Sequence, residues 1–417
     1  MNRRPVSTLL PAVLLVFLSV LPVAAQEGVA AKGPAAPPAD FEATWTAFQR
    51  EHLASAGREG AVGSAAMFLR GGAVLGESYQ GFADLETGTG VDGETIFHWA
   101  SCTKTLTGIA IMQLRDRGKL SLDDPIVEYL PELRQVHNPY GPMDAITLRH
   151  LMSHSAGFRA GTWPWQDEEK SWQDQPRHWS QIVAMLPYTE VLFEPGSKYS
   201  YSNPAIIFLG RVIEILSGDD FEVYVDKNIL RPLGMHDAFF DNTPYHLEKK
   251  RSHVYRNIDG QLEDLGGDFN SGITVSNGGL NASLNDMAKY LRFLIGDSNE
   301  PRYEALLKRS SLDEMWRPLH KSAEQDGIVD HMGLTFFSKQ VGDVIYKGHT
   351  GSQFGYTSFF YVDPERGTAC IAAFNTLTLV KNEDGKLALH PERTFSKLRT
   401  LFFDSVFPAL RHALPPG

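Results

Sequence analysis

Stretches that read as β-strand lie at both ends of this 417-residue chain, and helix-like patterns fill the middle. Between Ser64 and Tyr79, two short apolar segments flank Arg70-Gly71-Gly72, the pattern of a hairpin closed by a glycine turn. Near the other end, Val344–Lys347, Tyr356–Val362 and Thr368–Phe374 are β-rich and joined by short turns such as Asp363-Pro364-Glu365-Arg366-Gly367. That is an antiparallel meander. A final helix from about Thr394 to Phe407, stopped by Pro408, would cover one face of it. The order predicts an α/β (α+β) architecture: one antiparallel sheet built from both chain ends, flanked by helices, with a mainly helical lobe inserted.

The middle supplies the helices. Asn203 reads as a cap and Pro204 as a first helical residue, before Ile206, Ile207, Leu209, Val212, Ile213 and Leu216 run to Gly218. Ser283 caps an amphipathic stretch that ends at Ile295 and carries Asp286 in its first turn. Ile146–Phe158 reads as another helix, with Thr147 as cap and Gly157 past its end, and a short one is expected at Ile126–Leu130. Four of seven tryptophans fall between Trp163 and Trp179, in a polar, irregular segment. Aromatic crowding of that kind either lines a binding cleft or anchors a loop.

One pair of residues carries chemistry. Ser101 and Lys104 form the only Ser-x-x-Lys of the chain, where an extended segment turns into a helix running from Thr105 towards Gly118. Residues three apart share a helix face, so the Lys104 amine reaches the Ser101 hydroxyl. A helix N-terminus disfavours a second positive charge, and burial lowers an amine pKa further. A neutral amine accepts the serine proton, which makes Ser101 a candidate nucleophile for acyl transfer.

Two further segments fit that reading. Tyr201 and Asn203 of Tyr199-Ser200-Tyr201-Ser202-Asn203 sit on a turn directly before a helix, where a phenol and an amide project into a cleft. Tyr201 can shuttle a proton to a leaving group, and Asn203 can hold a substrate carbonyl. Tyr255-Arg256-Asn257 matches the same short pattern without that placement. Lys347-Gly348-His349-Thr350-Gly351-Ser352 ends a meander strand, and a strand edge with small residues binds an extended acyl substrate by strand addition. A backbone N–H there, with that of Ser101, makes an oxyanion hole.

These three elements, in this order, resemble the serine β-lactamase and penicillin-binding-protein superfamily, whose signatures include Ser-x-x-Lys and Lys-Thr-Gly. The branch that looks similar holds class C β-lactamases, soluble DD-peptidases and family VIII esterases, which use Tyr-x-Asn as second element. Leu148–Gly157, Phe193-Glu194-Pro195-Gly196, Pro232-Leu233-Gly234-Met235 and Gly278-Gly279-Leu280 also resemble segments of that branch. The resemblance implies that Ser101 is acylated and that Lys104 and Tyr201 move protons. It also implies that Asn203 contacts a substrate amide, that His349-Thr350-Gly351 is the substrate-binding strand, and that the N–H groups of Ser101 and Ser352 form the oxyanion hole. One departure stands out. His349 occupies the position usually filled by lysine in β-lactamases, and an unperturbed imidazole is mostly neutral at pH 7, gaining charge towards pH ~6. That favours a serine hydrolase of esterase, D-amino-acid peptidase or amidase type, with weak or no β-lactamase activity. The alternatives are a class C-like β-lactamase and a catalytically silent scaffold or ligand sensor.

Composition sets the setting. Arg3-Arg4, the apolar run Leu9–Leu21 and Val23-Ala24-Ala25 have the order of a signal peptide cleaved after Ala25, so the chain is expected in a periplasm or outside the cell. Residues 26–41 are rich in Ala, Pro and Gly and read as a flexible tether to a hydrolase domain over 42–412. Cleavage removes two arginines and no acid, taking the formal charge from −11 to −13. No basic run tracks phosphates, so nucleic acid is not an expected partner; a small acyl substrate is, with no integral membrane anchor after cleavage. No cofactor is expected. His150 and His154 are four apart, but no Glu follows in the His-Glu-x-x-His manner, so no metal site is expected. Gly-x-Ser-x-Gly does not occur. Cys102 and Cys370 are expected as two buried free thiols.

Overall fold

Helix α1 (Ala39–Glu59) is the first described element and starts three residues inside the segment expected to be tether, because Phe41, Trp45 and Phe48 bury one of its faces. A computed structural model describes residues 39–161, 176–268, 270–296, 300–325 and 328–410. The expected signal peptide, most of the expected tether, and Trp163, Trp165 and Trp172 lie outside the described residues.

After α1 come β1 (Gly63–Arg70) and β2 (Ala73–Asp84), the expected hairpin. Gly71 and Gly72 both have positive φ, at 52° and 81°, as a two-residue hairpin turn twisted to match its strands requires. The sheet is completed by β3 (Thr89–Gly90), β4 (His320–Gln325), β5 (Ile328–Met332), β6 (Phe337–Val341), β7 (Val344–Gln353), β8 (Tyr356–Asp363) and β9 (Thr368–Phe374). Its order is β3-β2-β1-β9-β8-β7-β6-β5-β4, so β1 and β9, the first and last of its strands in chain order, pair inside it. Every pairing in it is antiparallel. The sheet built from both chain ends is therefore as expected.

Alternation along the strands makes two cores. Ala66 and Phe68 of β1, with Phe359 and Tyr361 of β8, face α1 and helix α4 (Thr394–Leu401). Ala65, Met67 and Leu69, with Phe360 and Val362, face the other way, against helix α2 (Thr103–Asp116), helix α3 (Asn203–Ser217) and the rest of the helical lobe. Full burial of a Phe or Leu contributes about 1.5–3 kcal/mol, and a residue-by-residue switch of face lets one sheet hold both layers.

Three local expectations are corrected. The helix expected over Ile146–Phe158 covers only Leu148–Met152. Ser153 Oγ donates to the Arg149 carbonyl and His154 turns to φ 54°, so local hydrogen bonds replace the next turn. Ser202 caps α3 in place of Asn203, its Oγ accepting from the Ala205 N–H at 3.2 Å, which leaves the Asn203 side chain free of that task. Pro408 does not stop the last helix. A wide turn over Phe402–Val406 follows α4, and helical geometry resumes across Phe407–Ala409.

Candidate active site

The segment that carries Ser101 is clamped before it becomes a helix. A short strand, Ile96–His98, pairs with Leu280–Ser283, and the next residue, Trp99, donates its N–H to the Leu280 carbonyl at 2.8 Å and its indole N–H to the Ala282 carbonyl at 2.9 Å. Ala100 is held at φ 48°, a conformation that a side chain resists, and a tight turn over Ala100–Cys102 leads into α2. Thr103 Oγ1 donates to the Ala100 carbonyl at 2.6 Å and accepts from the Leu280 N–H at 3.0 Å, locking that turn. Ser101 therefore sits on the turn just ahead of α2, part-exposed, while Lys104 lies inside α2 and is fully buried.

Lys104 Nζ is 3.0 Å from Ser101 Oγ and 2.7 Å from the Asn277 carbonyl oxygen. Burial drives its pKa well below that of a free lysine. The same nitrogen stands 5.0 Å from the centroid of the Tyr201 ring. Burial raises the Tyr201 phenol well above its ordinary value, and a hydrogen bond with Ser101 offsets this only in part. Ser101 thus has an amine on one side and a protonated phenol on the other. The rival Tyr255-Arg256-Asn257 is a strand, in which the Tyr255 hydroxyl accepts from the Leu85 N–H and Asn257 bonds the Gly60 carbonyl.

Strand β7 closes the site. Its pairing with β6 ends at Gly348, so from His349 to Gln353 it has β8 on one side and, among the described residues, no strand on the other. The Ser101 turn packs there instead. Cys102 Sγ lies 3.7 Å from the His349 carbonyl, and Ser358 Oγ donates to the Trp99 carbonyl at 3.0 Å. At Gly351 a Cβ would lie 2.3 Å from the Trp99 carbonyl oxygen and 2.5 Å from Ser358 Oγ, so only glycine lets the strand approach the Ser101 segment this closely. Thr350 is half-buried and Ser352 exposed on the same strand.

His349 is only 1% exposed. Its Nδ1–H donates to the Thr350 carbonyl at 2.6 Å, and Nε2 is buried without a partner. Burial, then the neighbouring Lys104, pushes its pKa down to about 3. The expectation that it gains charge near pH ~6 is thereby corrected: desolvation outweighs its intrinsic basicity, and the imidazole is neutral throughout the physiological range.

Three features escaped the sequence reading. The Asn277 carbonyl that holds Lys104 is backbone, and a backbone acceptor leaves no residue-type signature. Ser202 caps α3 from inside the Tyr-x-Asn motif. His154 stacks on Tyr201 with ring centroids 4.5 Å apart, and its Nδ1 accepts from the Ser202 N–H at 3.1 Å. The imidazole of His150 accepts from the Thr147 N–H instead, so the two histidines serve separate backbone segments. Asn203 Oδ1 is buried with no partner, at the first turn of α3. Cys102 and Cys370 are both buried and free, and burial raises both thiols.

The family model described as Beta-lactamase matches residues 45–391. The chain belongs to the Beta-lactamase family. Among the curated relatives of this Beta-lactamase-family chain is esterase EstB of Burkholderia gladioli, 31% identical over 201 residues, covering 44% of this chain and 50% of the esterase. The chain thus spans about half the length of the curated relatives it matches. Among solved structures, the octameric penicillin-binding protein homologue from Pyrococcus abyssi is 25% identical, with a TM-score of 0.68 over 79% of this chain and 73% of that one. The D-amino acid amidase from Ochrobactrum anthropi SV3, 22% identical, shares the fold at a TM-score of 0.68 over 90% of this chain and 99% of that one. No helix of the described residues is long and apolar enough to cross a membrane.

Proposed function

We propose that this Beta-lactamase-family chain is an exported serine hydrolase that forms an acyl-enzyme on Ser101. Its preferred substrates are small, uncharged acyl compounds, carboxylic esters ahead of D-amino-acid amides, peptides and β-lactams. In this reading the neutral Lys104 amine takes the Ser101 proton as Oγ attacks the carbonyl carbon. The ammonium so formed is held by the Asn277 carbonyl, 2.7 Å away, and by the Tyr201 ring face. Tyr201 then donates its phenolic proton to the leaving group and regains one from Lys104. The Ser101 and Ser352 N–H groups hold the developing oxyanion, and Asn203 and Thr350 orient the acyl chain along β7. Water, deprotonated by the same pair, releases the acid and restores Ser101.

The observation that carries the substrate preference is the buried, neutral His349. β-Lactams and peptidoglycan stem peptides present a carboxylate beside the scissile carbonyl, and the imidazole offers it no positive charge. The ratio of kcat/KM for a neutral ester to that for benzylpenicillin is expected to be high and flat between about pH 6 and 8, because His349 does not titrate there. His349→Lys is expected to move that ratio about tenfold towards the lactam, the lower end for a hydrogen bond to a charged group. Efficient lactam hydrolysis by the unmodified protein, indifferent to the lysine, would mean that another cation holds the carboxylate.

Export rests on the order of basic, apolar and small residues in 1–25. Expression of the whole chain in a Gram-negative host is expected to yield periplasmic protein whose N-terminal residue is Gln26. Cytoplasmic protein retaining Arg3-Arg4 would refute it.

A further inference from the structure

A cleft of about 750 Å³ lies along α3 and is lined by none of Ser101, Lys104, Tyr201 or His349. Ile207, Gly210 and Glu214 form its α3 side, and Phe221, Phe239, Phe240 and Met235 give it an apolar wall. The Phe221 and Phe240 rings meet edge to face, with centroids 5.7 Å apart.

Charge in this cleft is unbalanced. Five carboxylates face three guanidiniums along its lining. Glu214 is paired with Arg211 at 2.8 Å, and Asp226 with Arg231 at 2.6 Å. Arg177, the third guanidinium, is exposed. Glu222 and Asp241 are part-buried, and neither has an ion-pair partner among the described residues. Asp241 accepts one backbone hydrogen bond, from Ser271, and its Oδ1 is buried with no partner. Burial raises the pKa of both carboxyls, and Asp241, Glu214 and Asp220 raise that of Glu222 further. A carboxylate oxygen left unpaired away from water is costly, and a cation bound beside it offsets that cost.

We propose that this cleft is a second binding site, distinct from the acyl-transfer centre, for an organic ammonium ion with an aromatic or apolar body. The body fills the space against Phe221, Phe239 and Phe240, and the ammonium pairs with Glu222 and Asp241. Aromatic faces beside carboxylates favour a cation twice over, by charge and by ring quadrupole. An anion of the same shape meets the surplus carboxylates, and a neutral alcohol offers Asp241 a hydrogen bond without the compensating charge.

Calorimetric titration of the full chain, with Ser101 first blocked by a fluorophosphonate, tests this with phenethylammonium, phenethyl alcohol and phenylacetate. Phenethylammonium is expected to bind with Kd of about 0.1–1 mM, as a ligand of its size allows, and at least about tenfold more tightly than either analogue. Glu222→Gln and Asp241→Asn are each expected to weaken it at least about tenfold, and to leave ester turnover by unblocked protein unchanged. Asp241 has φ 58°, a conformation that asparagine tolerates as well, so this variant keeps the backbone. Equal affinity for the ammonium and the alcohol, or no saturation by about 10 mM, overturns the proposal. Affinity indifferent to both substitutions overturns it too. Binding that vanishes when Ser101 is blocked places the amine in the acyl centre and overturns it as well, without touching the hydrolase reading.

Discussion

Ser101→Ala is expected to remove all covalent labelling by a fluorophosphonate and to lower ester hydrolysis by about four to six orders of magnitude, the loss typical of a catalytic nucleophile. Ser101 is part-exposed on a turn whose clamps are made by Trp99, Thr103 and Ser358, none of which uses its hydroxyl. The variant should therefore keep its melting temperature and circular dichroism, so that lost activity reads as lost chemistry. Mass spectrometry of the unmodified protein should place the adduct on one peptide that contains Ser101. An adduct that persists in Ser101→Ala would end the assignment.

Lys104→Met and Tyr201→Phe are each expected to lower acylation by about two to four orders of magnitude, the range for a positioned acid or base. Because the two groups pass one proton between them, the double variant should be little worse than the worse single one. Full multiplicative losses would show two independent roles. The pH dependence has a definite sign. Burial lowers the Lys104 pKa, so kcat/KM rises with pH through that lowered value and levels off above it, and Lys104→Met abolishes the rise. Substitution moves stability the other way from activity. The unfolded chain binds a proton at residue 104 over a pH range in which the folded chain does not, so residue 104 lowers stability at every pH below its unfolded pKa, increasingly as pH falls to the lowered folded value. Lys104→Met removes that pull and is expected to raise Tm at neutral pH while activity collapses. A fall in both would point to misfolding, with no information on the base.

Much of this was legible because the relevant forces are local. The hairpin around Gly71-Gly72 needs only two residues able to take positive φ, and the α3 start needs only a short polar residue ahead of Pro204. Even so, the cap fell on Ser202 where Asn203 had been expected, since both can serve and the choice depends on where each side chain is wanted. The early end of the helix at Met152 was hidden for a similar reason. Ser153 and His154 have no strong breaker character, and their contacts with Arg149 and Ser202 decide the matter.

The sequence by itself determined the topology and the chemistry: a sheet from both chain ends, a serine with an amine one helical turn away, a phenol before a helix, and a small-residue strand. Periodicity and residue type encode those directly. Only the tertiary structure decided the electrostatics. Ionisation depends on what excludes water from a group, and that shell comes from segments far apart in the chain. Thus Asn277, 173 residues from Lys104, supplies the carbonyl that holds the amine. Likewise, the packing of β7 against the Ser101 turn buries His349 and keeps an imidazole expected to gain charge near pH ~6 neutral across the physiological range.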